Sequence, residues 1–217
     1  MLDTKSKILI IDDHRLLLNG VIELVRDRFP QAQIFSANTI QEAASQITEN
    51  LPHLVIADLS LPQTKGATAN IENGLEFLRS LMGKYYDLNI MVQTSHPKAL
   101  VRLIPEIDNH HGGFTIADKS LPIEALLTFM EWAMLGITYT KNIQIDLEVK
   151  PEWLEVLRLA FEEGLQDKAI AQSMYVSERM IRHYWSKIKN ALEIYPEPGQ
   201  NMRALIQIRA REYGLIN

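Results

Sequence analysis

Five residues carry groups that could act together on a phosphate. Asp12 and Asp13 follow the apolar run Lys7–Ile11, and Asp58 follows Leu54–Ala57. Thr94 ends a run near 89–93, and Lys119 follows one near 113–117. Three carboxylates in one crevice repel, so their ionised state needs a compensating cation. A hard divalent ion such as Mg²⁺ supplies it, held by carboxylates, a backbone carbonyl and water. The same group suits phosphoryl transfer. The ion neutralises the incoming phosphate while one carboxylate attacks. The Thr94 hydroxyl offers a hydrogen bond to one phosphoryl oxygen, and Lys119 offers a point charge to another.

Such a gathering needs a fold that brings five run ends together. Lys7–Ile11, Gln33–Ala37, Leu54–Ala57, 89–93 and 113–117 read as strands. Between them, 14–29, 39–49, 74–84, 97–104 and 122–136 read as helices, the first with Leu17, Val21, Leu24 and Val25 at helical spacing. Alternation of this kind predicts a parallel sheet covered on both faces by right-handed crossovers. Doubly wound sheets bind ligands beyond the carboxyl ends of their strands, where all five candidates fall. Taken singly, Asp13 reads as a helix cap, Thr94 as an ordinary strand residue and Lys119 as a surface charge. Their joint order at the run ends favours the common site.

Residues 137–150 lack a clear period and read as a linker. After Pro151 the pattern is helical only, over about 151–163, 167–174, 177–193 and 200–213. The chain of 217 residues therefore divides into two small domains. It has no cysteine, which excludes disulfides, thiolate metal sites and a cysteine nucleophile. No apolar run approaches the roughly 18 residues that span a bilayer. No signal-peptide stretch follows Lys5 and Lys7 either, so a cytoplasmic protein without membrane contact is expected. The net charge of −5 is unevenly spread. Residues 1–149 hold 12 Lys/Arg and 18 Asp/Glu, whereas 150–217 hold 10 and 9. Within 176–190, Arg179, Arg182, Lys187 and Lys189 face only Glu178, a local positive footprint.

Residues 1–136 resemble the receiver domains of two-component systems. The stretches that carry the likeness are Ile10-Ile-Asp-Asp13, Asp58-Leu-Ser-Leu-Pro62, Gln93-Thr-Ser95 and Asp118-Lys-Ser120. The resemblance implies Asp58 as phosphoacceptor, with Asp12 and Asp13 holding Mg²⁺. It implies Thr94 as the switch hydroxyl, Lys119 as the phosphate-pairing cation and the Ser60 backbone carbonyl as a further metal ligand. Two departures stand out. Pro62 to Gly74 spans 12 positions, where the family needs about four by ordinary loop length. The extra piece, Gln63–Asn73, is polar and reads as a surface excursion. The family also places an aromatic three residues before the Lys, where this chain has Ile116, and Phe114 lies two earlier. Either the strand bulges or Phe114 is not that aromatic.

The C-terminal part resembles the DNA-binding domain of NarL/LuxR-type regulators. The matching residues are Glu155-Val-Leu-Arg-Leu159, Gly164, Lys168-Ala-Ile-Ala171, Val176-Ser-Glu-Arg179 and Ile181-Arg182. In 177–193, Ile181, Tyr184, Trp185, Ile188 and Leu192 form one apolar stripe. Arg179, Arg182, His183, Ser186 and Lys187 fall opposite, behind an N-cap at Ser177. Preceded by a short helix and tight turn, this is a helix-turn-helix whose second helix fits the major groove. Arg182, His183 and Ser186 are candidates for base contact, and Lys168, Arg179, Lys187 and Lys189 for phosphate contact. The chain departs from the family at Lys150-Pro-Glu-Trp153, at Met180 and at Tyr184. Trp153 and Trp185 read as core residues. In the family the last helix often dimerises, and Met202, Leu205, Ile206 and Ile208 are available for it.

The whole is thus expected to be a five-stranded, parallel, doubly wound, flavodoxin-like receiver (1–136), a linker (137–150) and an all-α four-helix helix-turn-helix domain (151–217). The expected function is a response regulator phosphorylated by a cognate histidine kinase, binding double-stranded DNA as a homodimer, and not an enzyme. The alternative is an atypical receiver governed by a protein partner. A phosphatase with an Asp nucleophile would want a second Asp where Ser60 stands, and no G-x-G-x-x-G follows the first strand for a nucleotide. His110-His111 lacks i,i+4 spacing and a third ligand, so it reads as loop.

Overall fold

A computed structural model of the chain describes residues 6–140, 150–197 and 199–216. These fall into two compact units, one built on a sheet and one of helices only.

The sheet unit runs β1 (Lys7–Ile11), α1 (Arg15–Arg28), β2 (Gln33–Ala37), α2 (Ile40–Asn50), β3 (Leu54–Ala57), α3 (Ile71–Lys84), β4 (Asn89–Thr94), a 3-10 turn (Pro97–Leu103), α4 (Ile104–Asp108), β5 (Phe114–Asp118) and α5 (Ile123–Met134). All pairings are parallel, in the order β2-β1-β3-β4-β5. The order reverses between β1 and β3, and that switch point opens the crevice of a doubly wound sheet. The central strands are apolar on both sides because helices cover both faces. Ile8, Leu9, Ile10, Ile11, Leu54, Val55 and Ile56 are all buried. On one face, Leu18, Val21 and Val25 of α1 and Leu126, Met130 and Ala133 of α5 close over Ile8, Ile10 and Met91.

Two helices differ from the sequence reading. The one expected over 97–104 is a 3-10 turn followed by a short α4. Pro105 has no N–H to give the preceding turn, so one continuous α-helix cannot form there. The helix expected from 74 begins at Ile71, because the Asn70 side chain accepts from the Asn73 N–H and caps it. The polar excursion is correspondingly shorter, and an antiparallel bridge between Leu61 and Asn70 closes its base. The linker at 137–150 falls mostly on residues outside those described. At its start, Tyr139 pairs with Thr115 on the edge of β5, and its ring lies 5.0 Å from that of Trp132.

The helical unit contains α6 (Pro151–Phe161), α7 (Asp167–Ser173), α8 (Glu178–Ala191) and α9 (Met202–Glu212). Its core holds Trp153, Val156, Leu157, Ile170, Ile181, Trp185, Ile188 and Ile206. Among the described residues, no helix is long and apolar enough to cross a membrane.

Candidate functional site

The first site lies at the carboxyl ends of β1, β3, β4 and β5. Asp12 continues the β1 ladder, its N–H donating to Ala37 O at 3.2 Å, and Asp58 continues β3, donating to Ile11 O at 2.9 Å. The sheet itself therefore carries both carboxylates to the switch point. The carboxylates of Asp12, Asp13 and Asp58 and the imidazole of His14 have ligand atoms within 4.8 Å of one another. Asp12 and Asp58 are buried, 4% and 5% exposed, which makes their charges expensive without a cation.

Lys119 meets that need. Its Nζ donates to Asp12 Oδ2 at 2.8 Å and to Asp58 Oδ2 at 2.9 Å. Its place is fixed because its own N–H donates to Thr94 O at 3.1 Å. Burial pulls the ammonium pKa down, but hydrogen bonds to Asp12 and Asp58, with their charges, outweigh it and hold the pKa above 10.5. A raised pKa means that this stabilisation is complete below the unfolded value and is lost as pH rises through the folded one. Urea midpoints of the wild type are therefore expected to fall as pH climbs above 10.5, while Lys119→Met lacks that limb. Lys119→Met should also be less stable at pH 7 by about 3 kcal/mol without divalent ions, since two buried carboxylates lose their partner.

The remaining groups sit around this pair. The Thr94 side chain is fully buried, with Oγ1 accepting from the His96 N–H at 3.1 Å. Asp58 Oδ1 accepts from the Leu59 N–H at 2.6 Å. Ser60 lies half-buried in the bend after Asp58. Asp13 does not cap α1: the N-cap residue is His14, with no side-chain cap, and the His14 N–H goes to Asp12 Oδ1 at 2.7 Å. His14 was not singled out from the sequence, yet its Nδ1 stands 2.8 Å from Asp13 Oδ1. A His directly after the acidic pair is the signal that would have found it.

The pocket fits a hard divalent cation. Its donors are carboxylate oxygens, and buried Asp13 Oδ1 makes no hydrogen bond, its near neighbour being the His14 imidazole at 2.8 Å, so it is an oxygen suited to a cation. The β4–β5 ladder is regular from Ile90↔Phe114 to Thr94↔Asp118, so β5 has no bulge. Phe114 lies at the far end of the strand from this pocket, and buried Ile116 occupies the aromatic's place. His110 and His111 form no cluster. Buried His110 uses Nε2 on Leu88 O at 2.7 Å, while exposed His111 has Nδ1 3.9 Å from Asp87.

The second candidate surface lies on α8. The Ser177 side chain accepts from the Met180 N–H, starting the helix where expected. Ile181, Trp185 and Ile188 bury one face. Arg179, Arg182, His183, Ser186 and Lys187 are exposed opposite, Lys189 is half-buried at the flank, and Lys168 is exposed on α7. Arg182 NH1 lies 3.8 Å from Glu178, a solvent-exposed pair that leaves the guanidinium available. Behind α8, Asp167 accepts from Trp185 Nε1 at 3.0 Å and from Arg203 NH2 at 2.7 and 2.9 Å. The Arg203 guanidinium stacks 3.5 Å from the Trp185 ring centroid. One carboxylate thus ties α7, α8 and α9 together, a link that the sequence reading missed.

Known proteins resemble the chain in both parts. The response regulator receiver domain family matches residues 8–106. The transcriptional regulatory protein YdfI of Bacillus subtilis is 26% identical over 226 residues, covering 97% of this chain and 98% of the relative. The DNA-binding transcriptional activator DevR/DosR of Mycobacterium tuberculosis is 21% identical, with 84% and 86% covered. Among solved structures, RcsB of Salmonella enterica serovar Typhimurium, bound to promoter rprA in the presence of phosphomimetic BeF3-, is 22% identical. It superposes with a TM-score of 0.60 over 94% of this chain and 98% of that one. A two-component response regulator RcsB–DNA complex also gives 0.60, at 19% identity and with 95% and 98% covered. Residues 8–106 match the response regulator receiver domain, and with an acidic pocket at the switch point of a parallel five-stranded sheet and a four-helix unit the chain resembles, over nearly its whole length, two-component response regulators of the NarL/FixJ type.

Proposed function

We propose that the chain is a DNA-binding transcription regulator whose receiver, residues 1–136, is controlled by phosphorylation of Asp58. A cognate histidine kinase is the phosphodonor. The linker is 137–150, the DNA-binding domain is 151–217, and the setting is cytoplasmic. The observation that carries the reading is Lys119 Nζ held between the Asp12 and Asp58 carboxylates at the sheet's switch point.

In the transfer, an Asp58 carboxylate oxygen attacks phosphorus and forms an acyl phosphate. The P–N bond to the kinase imidazole breaks, and its electron pair stays on nitrogen. Mg²⁺, held by Asp12, Asp13, Asp58 and the Ser60 carbonyl, would neutralise the phosphoryl oxygens. Lys119 pairs with one oxygen and the Thr94 hydroxyl donates to another. Because Lys119 is engaged with Asp12 beforehand, the new dianion competes for a cation that already fixes the β5–α5 connection. That competition is the local charge event that shifts the surface.

The output is α8 in the major groove, with Arg182, His183 and Ser186 toward bases and Lys168, Arg179, Lys187 and Lys189 toward phosphates. RcsB, of like fold, is described as dimers bound to DNA, which supports a homodimer reading two half-sites. Sequences selected by the chain from random DNA, with and without phosphodonor, test the proposal. Enrichment of one inverted or direct repeat is expected, stronger with phosphodonor, and no enrichment in either condition would refute it. On the selected duplex, Arg182→Ala should weaken binding by about 10-fold to 100-fold and relax specificity. Lys187→Ala should weaken all duplexes alike and lower the salt slope by about 1. Binding titrations at several salt concentrations separate the two.

A further inference from the structure

The turn between α7 and α8 places a tyrosine where it gains nothing from the fold. α7 closes with the Met174 N–H on Ile170 O, the Tyr175 N–H on Gln172 O and the Val176 N–H on Ala171 O. The residue after such a helix end takes the left-handed conformation, and glycine is its usual occupant. Gly164, after α6, and Gly214, after α9, follow that rule with φ of 68° and 70°. Tyr175 takes φ of 55° instead, and it is 96% exposed. Its ring and hydroxyl have no partner among the described residues. A bulky side chain in this region is strained, and an aromatic ring left in water adds a second disadvantage.

Leu51 and Glu193 also have positive φ, 49° and 53°, so the angle alone assigns no role. What distinguishes Tyr175 is its place. It lies two residues before Ser177, the N-cap of the helix whose open face carries Arg179, Arg182, His183 and Ser186. A phenol is a neutral donor on a flat ring, suited to a phosphate oxygen and the sugar beside it.

We propose that Tyr175 is a DNA-backbone contact, its O–H donating to a phosphate oxygen of the strand that borders the groove entered by α8. The proposal rests on the reading of α8 given above. Phosphates carry no sequence information, so losing this contact weakens every duplex by the same factor. A phenol carries no charge and displaces no counterion, so the salt slope does not change.

The test uses the full chain, a duplex obtained by selection and an unrelated duplex of the same length. Affinities at several salt concentrations and melting temperatures are compared for wild type, Tyr175→Gly, Tyr175→Phe and Arg182→Ala. Tyr175→Gly is expected to melt higher by a few degrees, because glycine relieves the backbone. It is also expected to bind both duplexes about 5-fold to 10-fold more weakly at an unchanged salt slope. Tyr175→Phe should melt like wild type and show most of that loss. Wild-type affinity in either variant overturns the hydroxyl contact, and a loss confined to the selected duplex overturns the backbone assignment. If Arg182→Ala binds as wild type, or wild type binds no duplex, the α8 reading falls and this proposal with it. Loss in Arg182→Ala beside full binding in Tyr175→Gly removes this proposal alone.

Discussion

Wild-type protein incubated with a small phosphodonor and Mg²⁺ will gain the mass of one phosphoryl group, and Asp58→Asn will gain none. The expectation follows from the crowding at the sheet end. Asp12, Asp13 and Asp58 share one pocket, but only Asp58 follows β3, which lies between β1, the source of Asp12 and Asp13, and β4, the source of Thr94. Asn preserves the shape and the Leu59 N–H bond to Oδ1 while removing the nucleophilic charge. A fold defect is thus separable from a chemical one by urea unfolding, in which Asp58→Asn should remain as cooperative as wild type. Asp13→Asn should retain the acceptor but label at least about 10-fold more slowly, since a carboxylate that would hold the cation is gone. Labelling of Asp58→Asn at the wild-type rate would move the acceptor elsewhere.

A second large effect is expected at Gly74. A Cβ there would stand 1.9 Å from Leu59 O and 2.7 Å from Leu59 C, both backbone atoms that cannot rotate away. Helix α3 packs directly on the bend that follows Asp58, so Gly74→Ala must push the two apart. The receiver should lose about 3 kcal/mol, the upper end of ordinary overpacking. Because Leu59 N–H holds Asp58 Oδ1, labelling should slow in the same variant. Gly83 in the same helix supplies the control, since nothing lies within 4 Å of an added Cβ. Gly83→Ala should be neutral or stabilise by about 0.5–1 kcal/mol. Chemical denaturation with parallel labelling checks both variants, and equal effects at the two glycines would contradict the close-approach argument.

The central strands were legible because they are short apolar runs in a sheet buried on both faces. Lys7–Ile11, Gln33–Ala37 and Leu54–Ala57 are strands over the residues expected. The site was legible because its residues sit at strand ends, where run boundaries mark them in one dimension. Contacts made across the chain were not legible. Nothing in the sequence says that Asp167 meets Arg203, 36 residues away, or that Gly74 abuts Leu59. The beginning of α3 was missed because Asn70 reads as one polar residue among many until its cap is seen. The question at Phe114 was one of register, and only pairing could answer it. The ladder gives β5 no extra residue and leaves Ile116 where the family has an aromatic. On the proposed reading, a shift of Thr94 toward phosphate has no aromatic at that place to move, which puts more weight on Lys119 and its hold on Asp12.

On the proposed reading, covalent phosphate in the acidic pocket governs the grip of the helical domain on DNA. The decisive measurement is the affinity of the intact chain for a selected duplex, with and without phosphodonor and Mg²⁺, in wild type and Asp58→Asn. Wild type is expected to bind more tightly with phosphodonor, by about 10-fold or more for a coupling of about 1.4 kcal/mol, with no change in Asp58→Asn. Equal affinity in wild type under both conditions, with Asp58 demonstrably phosphorylated, would contradict it.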